Sequence, residues 1–161
     1  MGNPGGNGTK KSVSQRVLEY AITKVGHKAP GRGTCWDLPN EALKHAGAST
    51  PNDLGADLYI WGQRIERLED AQPGDILQFE KVEIRTETRL TDGRTKYQTF
   101  SFAEKHSAII ERVNPGLFFT TLNAHIKGHH GKVVRLDLNL SPESIKSGRV
   151  FLYRPTERPR R

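Results

Sequence analysis

An α+β fold is predicted for this chain of 161 residues. Two helical patterns come first, and strand-like runs separated by antiparallel turn signals follow. Neither an internal repeat nor a shift in composition marks a second domain. The predicted organisation is a disordered leader over 1–11, one domain over 12–155 and a basic tail over 156–161.

The leader Met1-Gly2-Asn3-Pro4-Gly5-Gly6-Asn7-Gly8 is glycine-rich and lacks the apolar stretch of a secretory signal. From Val13 onward, Val13, Val17, Leu18, Ala21, Ile22 and Val25 share one helical face. Ser12 or Ser14 can cap the start of this helix, and Gly26 can end it. His27 to Thr34 reads as a loop broken by Pro30, Gly31 and Gly33. A second helix is predicted from about Cys35 to His45, with Ala42, Leu43 and Ala46 facing inward and Gly47 as its stop. Thr34, with Asp37 three residues on, is a weak form of the capping box. Pro39 cannot donate an N–H to the Cys35 carbonyl and crowds it, so a distorted first turn is expected.

Over 48–72 the pattern is mixed. Leu54, Leu58, Ile60 and Trp61 are expected to pack on the core from a short helix or an ordered loop. Gln72-Pro73-Gly74-Asp75 is a turn, and Ile76-Leu77-Gln78-Phe79 opens a strand. The run alternates through Val82, Ile84, Thr86 and Thr88, turns near Thr91-Asp92-Gly93-Arg94, and returns through Tyr97, Phe100 and Phe102. Residues 80–105 thus form an extended hairpin insertion that lengthens the connection to His106. Strands at about 106–113, 117–124, 132–138 and 149–154 complete the domain. Asn114-Pro115-Gly116 and Gly128-His129-His130-Gly131 are turns between them.

With 34% hydrophobic and 27% charged residues the chain can bury only a modest core. No apolar run approaches the ~18 residues of a membrane span. The net charge of +7 is carried partly by Lys10-Lys11 and partly by the end Arg154-Pro155-Thr156-Glu157-Arg158-Pro159-Arg160-Arg161. A basic surface attracts polyanions: nucleic acid, anionic lipid or an anionic cell wall. The aromatics are not interleaved with the basic clusters, so stacking on single-stranded nucleic acid has little support. One cysteine excludes an internal disulfide and a cysteine-rich zinc site. It leaves the compartment open: cytoplasmic, or bacterial extracytoplasmic if a signal has been removed.

That lone cysteine carries the chemistry. Cys35 stands where a helix is predicted to begin, and unpaired N–H groups there stabilise a thiolate. His106 opens the strand-like run His106-Ser107-Ala108-Ile109-Ile110. Through the turn at Asn114-Pro115-Gly116 the next strand can return beside it, bringing Asn123 or His125 to the imidazole; the two share a face of that strand. Asn123 could accept the Nδ1–H of His106, and His125 could do the same or hold a neighbouring polar position. A thiol, an imidazole and a polar orienter in this order suit a thiol hydrolase. The plainer readings are a cysteine acting as a small buried hydrophobe and an ordinary strand histidine. Trp36 could line the cleft or simply pack, as could Trp61. Asp37 reads as a first-turn dipole partner rather than a catalytic acid. His125, His129 and His130 do not form a zinc pattern, and no phosphate loop or dinucleotide fingerprint is present. No metal or other cofactor is expected.

At these residues the chain resembles the CHAP and NlpC peptidase families, bacterial members of the papain-like group. The matching stretches are Gly33-Thr34-Cys35-Trp36-Asp37-Leu38, Gln72-Pro73-Gly74-Asp75-Ile76-Leu77-Gln78-Phe79, His106-Ser107-Ala108-Ile109-Ile110 and Leu122-Asn123-Ala124-His125. Val150-Phe151-Leu152-Tyr153-Arg154-Pro155 is similar to the closing strand of such domains. Where CHAP proteins often carry Leu-Glu-Gln-Asn, this chain has Asn123 in place of Glu and His125 in place of Asn. The resemblance implies a papain-like domain whose N-terminal helices pack on an antiparallel sheet or small barrel. It implies amide hydrolysis in peptidoglycan-like peptides: Cys35 attacks, His106 moves the proton, Asn123 orients the ring, and the Cys35 N–H serves the oxyanion. The expected protein is a monomer with a peptide or peptidoglycan-like substrate. The alternative is the same fold with weak or no activity, binding a polyanion or protein partner through its basic surface.

Overall fold

The computed structural model describes residues 11–55 and 57–159, with the backbone alone at Ala103. The expected leader, Lys11 excepted, and the last two residues of the expected tail lie outside the described residues.

Helix α1 spans Val13–Lys24 and begins as its sequence dictates. Ser12 accepts from the Gln15 N–H while the Gln15 side chain accepts from the Ser12 N–H, a complete capping box. Val17 and Ala21 are its fully buried residues. Helix α2 spans Asp37–His45, two residues later than expected, so Cys35 lies in the turn ahead of it. Pro39 is therefore the third helical residue, where an N–H has no intrahelical partner to lose. The expected distortion is absent, because the helix starts late enough to accommodate the proline. A single turn, α3, spans Pro51–Leu54 under a Thr50 cap.

The strands are β1 Gln63–Ile65, β2 Ile76–Arg89, β3 Thr95–Asn114, β4 Phe118–Asn123, β5 Val134–Asn139 and β6 Ile145–Arg154. They form one six-stranded sheet in the order β1-β6-β2-β3-β4-β5, with every pairing antiparallel. The fold is thus α+β, with few helices and a sheet that curls into a half-barrel. One core lies between the helices and the sheet, around Leu38, Leu43, Trp61, Ile76, Ile109 and Leu122. The other lies inside the curl, around Leu77, Phe79, Ala108, Ile110, Phe119 and Leu138. Alternate residues of β2 and β3 supply the two cores, as the period of a strand requires.

Residues 80–105 are the outward continuation of β2 and β3. The two strands pair from Ile76↔Ile109 to Arg89↔Thr95 across a bulge at Lys81, whose φ is +54°. In the 48–72 segment, Trp61 is buried as expected but Leu54 and Leu58 are not, at 37% and 53% exposed. Leu54 ends a one-turn helix and Leu58 lies in a turn, so neither belongs to an element with an inward face.

Two contacts fix the helices to the sheet. Gly74 has φ +91°, and a Cβ there would lie 2.3 Å from the Ser14 carbonyl oxygen, so only glycine lets this turn meet the start of α1. The beginning of the expected basic tail is also tied down. Ser49 N–H donates to the Thr156 carbonyl, Arg158 N–H donates to the Gly47 carbonyl, and Arg16 pairs with Glu157. Among the described residues no helix is long and apolar enough to cross a membrane.

Candidate active site

The turn that carries Cys35 is built by Asp37. Its carboxylate accepts from the N–H of Arg32 at 3.0 Å, the N–H of Thr34 at 3.2 Å and the Thr34 hydroxyl at 2.8 Å. In return the Asp37 N–H donates to Thr34 Oγ1 at 3.2 Å, so the reciprocal Thr34–Asp37 bonds foreseen in the sequence are present, but they close the turn ahead of α2, whose N-cap is Trp36, rather than cap the helix. Burial opposes the charge on Asp37, but these hydrogen bonds outweigh it and hold the carboxyl below its ordinary range. Gly31, at φ +66°, lies against the same side chain, and a Cβ there would stand 3.0 Å from Asp37 Cγ.

This turn lays the half-buried Cys35 against β3 at the place where β4 has ended. β4 pairs with β3 only from Asn114 back to Ile109. Beyond that point the β3 residues Lys105, His106 and Ser107 keep β2 on one side and have the thiol on the other. Cys35 Sγ donates to the Lys105 carbonyl at 3.7 Å, and the backbone N–H groups of Ser107, Cys35 and Trp36 act on the sulfur. Burial nevertheless dominates and pushes the thiol above its ordinary value, helped by the negative charge of Asp37, with the three N–H groups as a partial offset. The lowered value expected from a helix start is corrected here. Packing of the thiol under β3 outweighs the local N–H groups.

His106 is buried inside the curl, its ring stacked on Phe102 at 4.2 Å between centroids and 11° between planes. Its Nε2 meets Asn123 Oδ1 at 2.9 Å. Asn123 Nδ2 donates to Thr121 Oγ1 at 2.9 Å, and the Thr121 hydroxyl donates to the Leu136 carbonyl at 2.8 Å. Because the Thr121 hydrogen is committed to a carbonyl, it can only accept from Asn123. The amide oxygen of Asn123 must then face His106, and Nε2 must carry the hydrogen. That leaves Nδ1 with a free lone pair. The sequence suggests Nδ1 as the nitrogen that meets the orienter; the structure uses the opposite one. Burial pushes the His106 pKa down to about 4, with the Asn123 hydrogen bond opposing this and the nearby His125 adding to it.

A cleft of about 340 Å³ opens over these groups and is lined by Cys35, Phe102, Lys105, His106, His125 and Ile126, among others. Of the sequence candidates, Cys35, His106 and His125 share this cleft, and Asn123 lies behind it bonded to His106. Among the described residues the thiol makes no hydrogen bond to the imidazole, and His125 makes none to His106. β4 stops at Asn123, and His125 leaves the strand direction at φ +62°, so the two no longer share a face. Trp36 is outside the cleft lining. Its Nε1–H donates to the Leu58 carbonyl at 2.8 Å and its ring packs on Trp61.

Several contributors are not singled out by the sequence. Thr121 stands two residues before Asn123 on the same strand, a spacing that could have revealed it. Phe102 and the Lys105 carbonyl had no such signal. Below the site lies a buried network. The Trp61 indole N–H and the Ser107 hydroxyl both donate to Gln78 Oε1, at 3.0 and 2.5 Å, and Gln78 Nε2 donates to Glu80 at 2.9 Å. Glu80 in turn is paired with Lys105. Among the described residues no group of three or more His, Cys, Asp or Glu side chains is placed to hold a metal ion.

Residues 7–160 match the family model described as the AIM3/BBC1 cysteine proteinase-fold domain. No curated protein and no solved structure matches the chain.

Proposed function

The chain belongs to the AIM3/BBC1 cysteine proteinase-fold domain family, and on that premise we propose that it hydrolyses peptide or amide bonds through Cys35, His106 and Asn123. The observation that carries the proposal is the chain His106–Asn123–Thr121–Leu136, which leaves Nδ1 unbonded on a histidine that lines the same cleft as the thiol. A buried histidine held neutral is a proton acceptor at ordinary pH. The resting pair is thiol and imidazole rather than thiolate and imidazolium, given the direction in which burial moves both groups.

Reaction then requires the thiol to leave the Lys105 carbonyl and turn to Nδ1. His106 takes the proton as sulfur attacks the substrate carbonyl. The oxyanion is received by the N–H groups of Cys35 and Trp36, which already act on the sulfur. His106 returns the proton to the departing amine, and water then hydrolyses the thioester with His106 again as base. The CHAP/NlpC resemblance names peptidoglycan-like peptides as the substrate. Their free carboxylates suit the wall that carries Lys127 and His125, across the cleft from Glu104 and the Lys105–Glu80 pair.

The test is digestion of peptidoglycan and of a mixed peptide pool, with new amine ends read by mass spectrometry. Product is expected with the native chain and not with Cys35→Ala or His106→Ala, each with an unchanged circular dichroism spectrum. Absence of new ends with the native chain overturns the proposal.

A second reading has its own support. The thiol is bonded to a backbone carbonyl instead of the imidazole, and burial raises its pKa. Both suit a papain-like fold that binds a polyanion or protein partner without cutting it. Binding that survives in Cys35→Ala and weakens with salt, alongside absent hydrolysis, would favour this reading.

A further inference from the structure

β3 is 20 residues long, and its two sides are used unequally. Toward β2 it is paired from Thr95 to Ile109; toward β4 it is paired only from Ile109 to Asn114. Among the described residues, no backbone-to-backbone hydrogen bond other than those to β2 is made by residues 95–108. The half of β3 that runs from Ser107 out to Thr99 therefore has one open edge, and that edge forms a wall of the cleft. The facing wall is His125, Ile126, Lys127 and Leu136. The thiol already uses the inner end of the edge, donating to the Lys105 carbonyl with the Ser107 N–H near enough to act on the sulfur.

We propose that this edge docks an extended peptide as an added strand, lying between β3 and the 125–127 turn with one end at Cys35. The Thr99–His106 stretch, at about 3.3 Å per residue, has room for roughly eight residues of an extended chain. Backbone pairing supplies the affinity of such strand addition, and alternate side chains supply its selectivity. Here alternate side chains meet different surfaces. Phe100, Ile126 and Leu136 offer apolar contact. Lys127 and His125, on the facing wall, have no ion-pair partner among the described residues, whereas on the β3 edge Lys105 is already held by Glu80 and Glu104 adds a carboxylate, so acidic side chains of the peptide turn to the 125–127 wall. The occupant is thus a peptide that alternates apolar and acidic residues. Docking deepens the hydrolase reading by giving the substrate its path, and it stands without cleavage.

The experiment uses the full chain with Cys35→Ala, and Cys35→Ser as a second background, so that no bond is cut. The probe is an acetylated, amidated hexapeptide alternating Glu and Val, followed by amide chemical shifts and titration. Expected are perturbations confined to residues 99–107, 125–127 and the neighbourhood of Leu136, and an affinity loss of about tenfold on N-methylation at every second peptide position, with little loss between. A Lys-Val hexapeptide is expected to bind more weakly than the Glu-Val probe, and Lys127→Glu to narrow that difference. No binding by the Glu-Val probe at millimolar concentration overturns the proposal. So does equal sensitivity at all N-methyl positions, or perturbation along β6 instead. Docking without hydrolysis by the native chain would refute the enzyme alone; hydrolysis without the alternating pattern would refute the docking alone.

Discussion

Asn123 Oδ1 accepts from His106 Nε2 at 2.9 Å, and it does so because Thr121, one strand pleat away, holds the other end of the amide. The orientation of the imidazole is therefore set by a hydroxyl that never touches it. Thr121→Val keeps the shape and removes the only group that tells the two ends of the Asn123 amide apart. The expected result is a mixture of His106 tautomers in nitrogen-15 spectra where the native chain shows the Nε2–H form alone. If the chain hydrolyses amides, kcat should fall by roughly 10- to 100-fold with little change in KM, as for a positioning group acting through the base. A single unaltered tautomer in Thr121→Val would refute the linkage.

Burial of His106 also makes a statement about stability. Its pKa is lowered from 6.5 to about 4 in the folded chain, so the unfolded chain binds the proton more tightly. The stability contributed is present above 6.5 and is lost as pH falls from 6.5 toward 4. At about 1.4 kcal/mol per unit, the difference is on the order of 3 kcal/mol. Urea unfolding at a series of pH values should show this slope in the native chain and a flatter one in His106→Gln. Parallel slopes in the two would show that the histidine is not the titrating group.

The thiol gives a third expectation, opposite to the one its helix-start position suggests. Burial raises the Cys35 pKa, so alkylation by iodoacetamide should have its midpoint above that of a free thiol and be slow in mild acid. A peptide that fills the cleft should lower the rate further. A midpoint below the free-thiol range would mean that the N–H groups of Ser107, Cys35 and Trp36 outweigh burial.

That sign was hidden in the sequence for a physical reason. The turn at Gln72–Asp75 and the hairpin near Asp92-Gly93 are local signals, and each one appears in the fold. The helix start at Cys35 is also a local signal, whereas the segment of β3 that covers the sulfur comes from far along the chain. The length of β2 and β3 was obscured by the bulge at Lys81, which breaks the alternation of inward and outward residues. β1 is three residues long, with two of them exposed, and carries no apolar pattern at all; its pairing with the end of β6 is decided by tertiary contact. Strand period groups His125 with Asn123, and the left-handed backbone at His125 ends that period.

The last expectation concerns what joins the end of β6 to the turn that opens β2. Asp75 is fully buried and accepts from Arg154 Nε and Nη2, at 3.0 and 2.9 Å, and from the Gln72 N–H at 2.9 Å. Burial raises its pKa even with the Arg154 hydrogen bonds opposing, so the folded chain holds the proton more tightly than the unfolded one. The carboxylate form is thus costly, and stability falls as pH rises from 3.8 through the raised value. Arg154→Ala strands that charge and should cost about 3–5 kcal/mol near neutral pH. The deficit should shrink in mild acid, where Asp75 can take a proton. Adding Asp75→Asn to Arg154→Ala should recover part of the loss at neutral pH, because an amide can still accept from Gln72 without carrying a buried charge. Urea unfolding of the three chains at two pH values tests this, and a deficit in Arg154→Ala that is equal at both would place the cost in lost packing of the arginine stem instead.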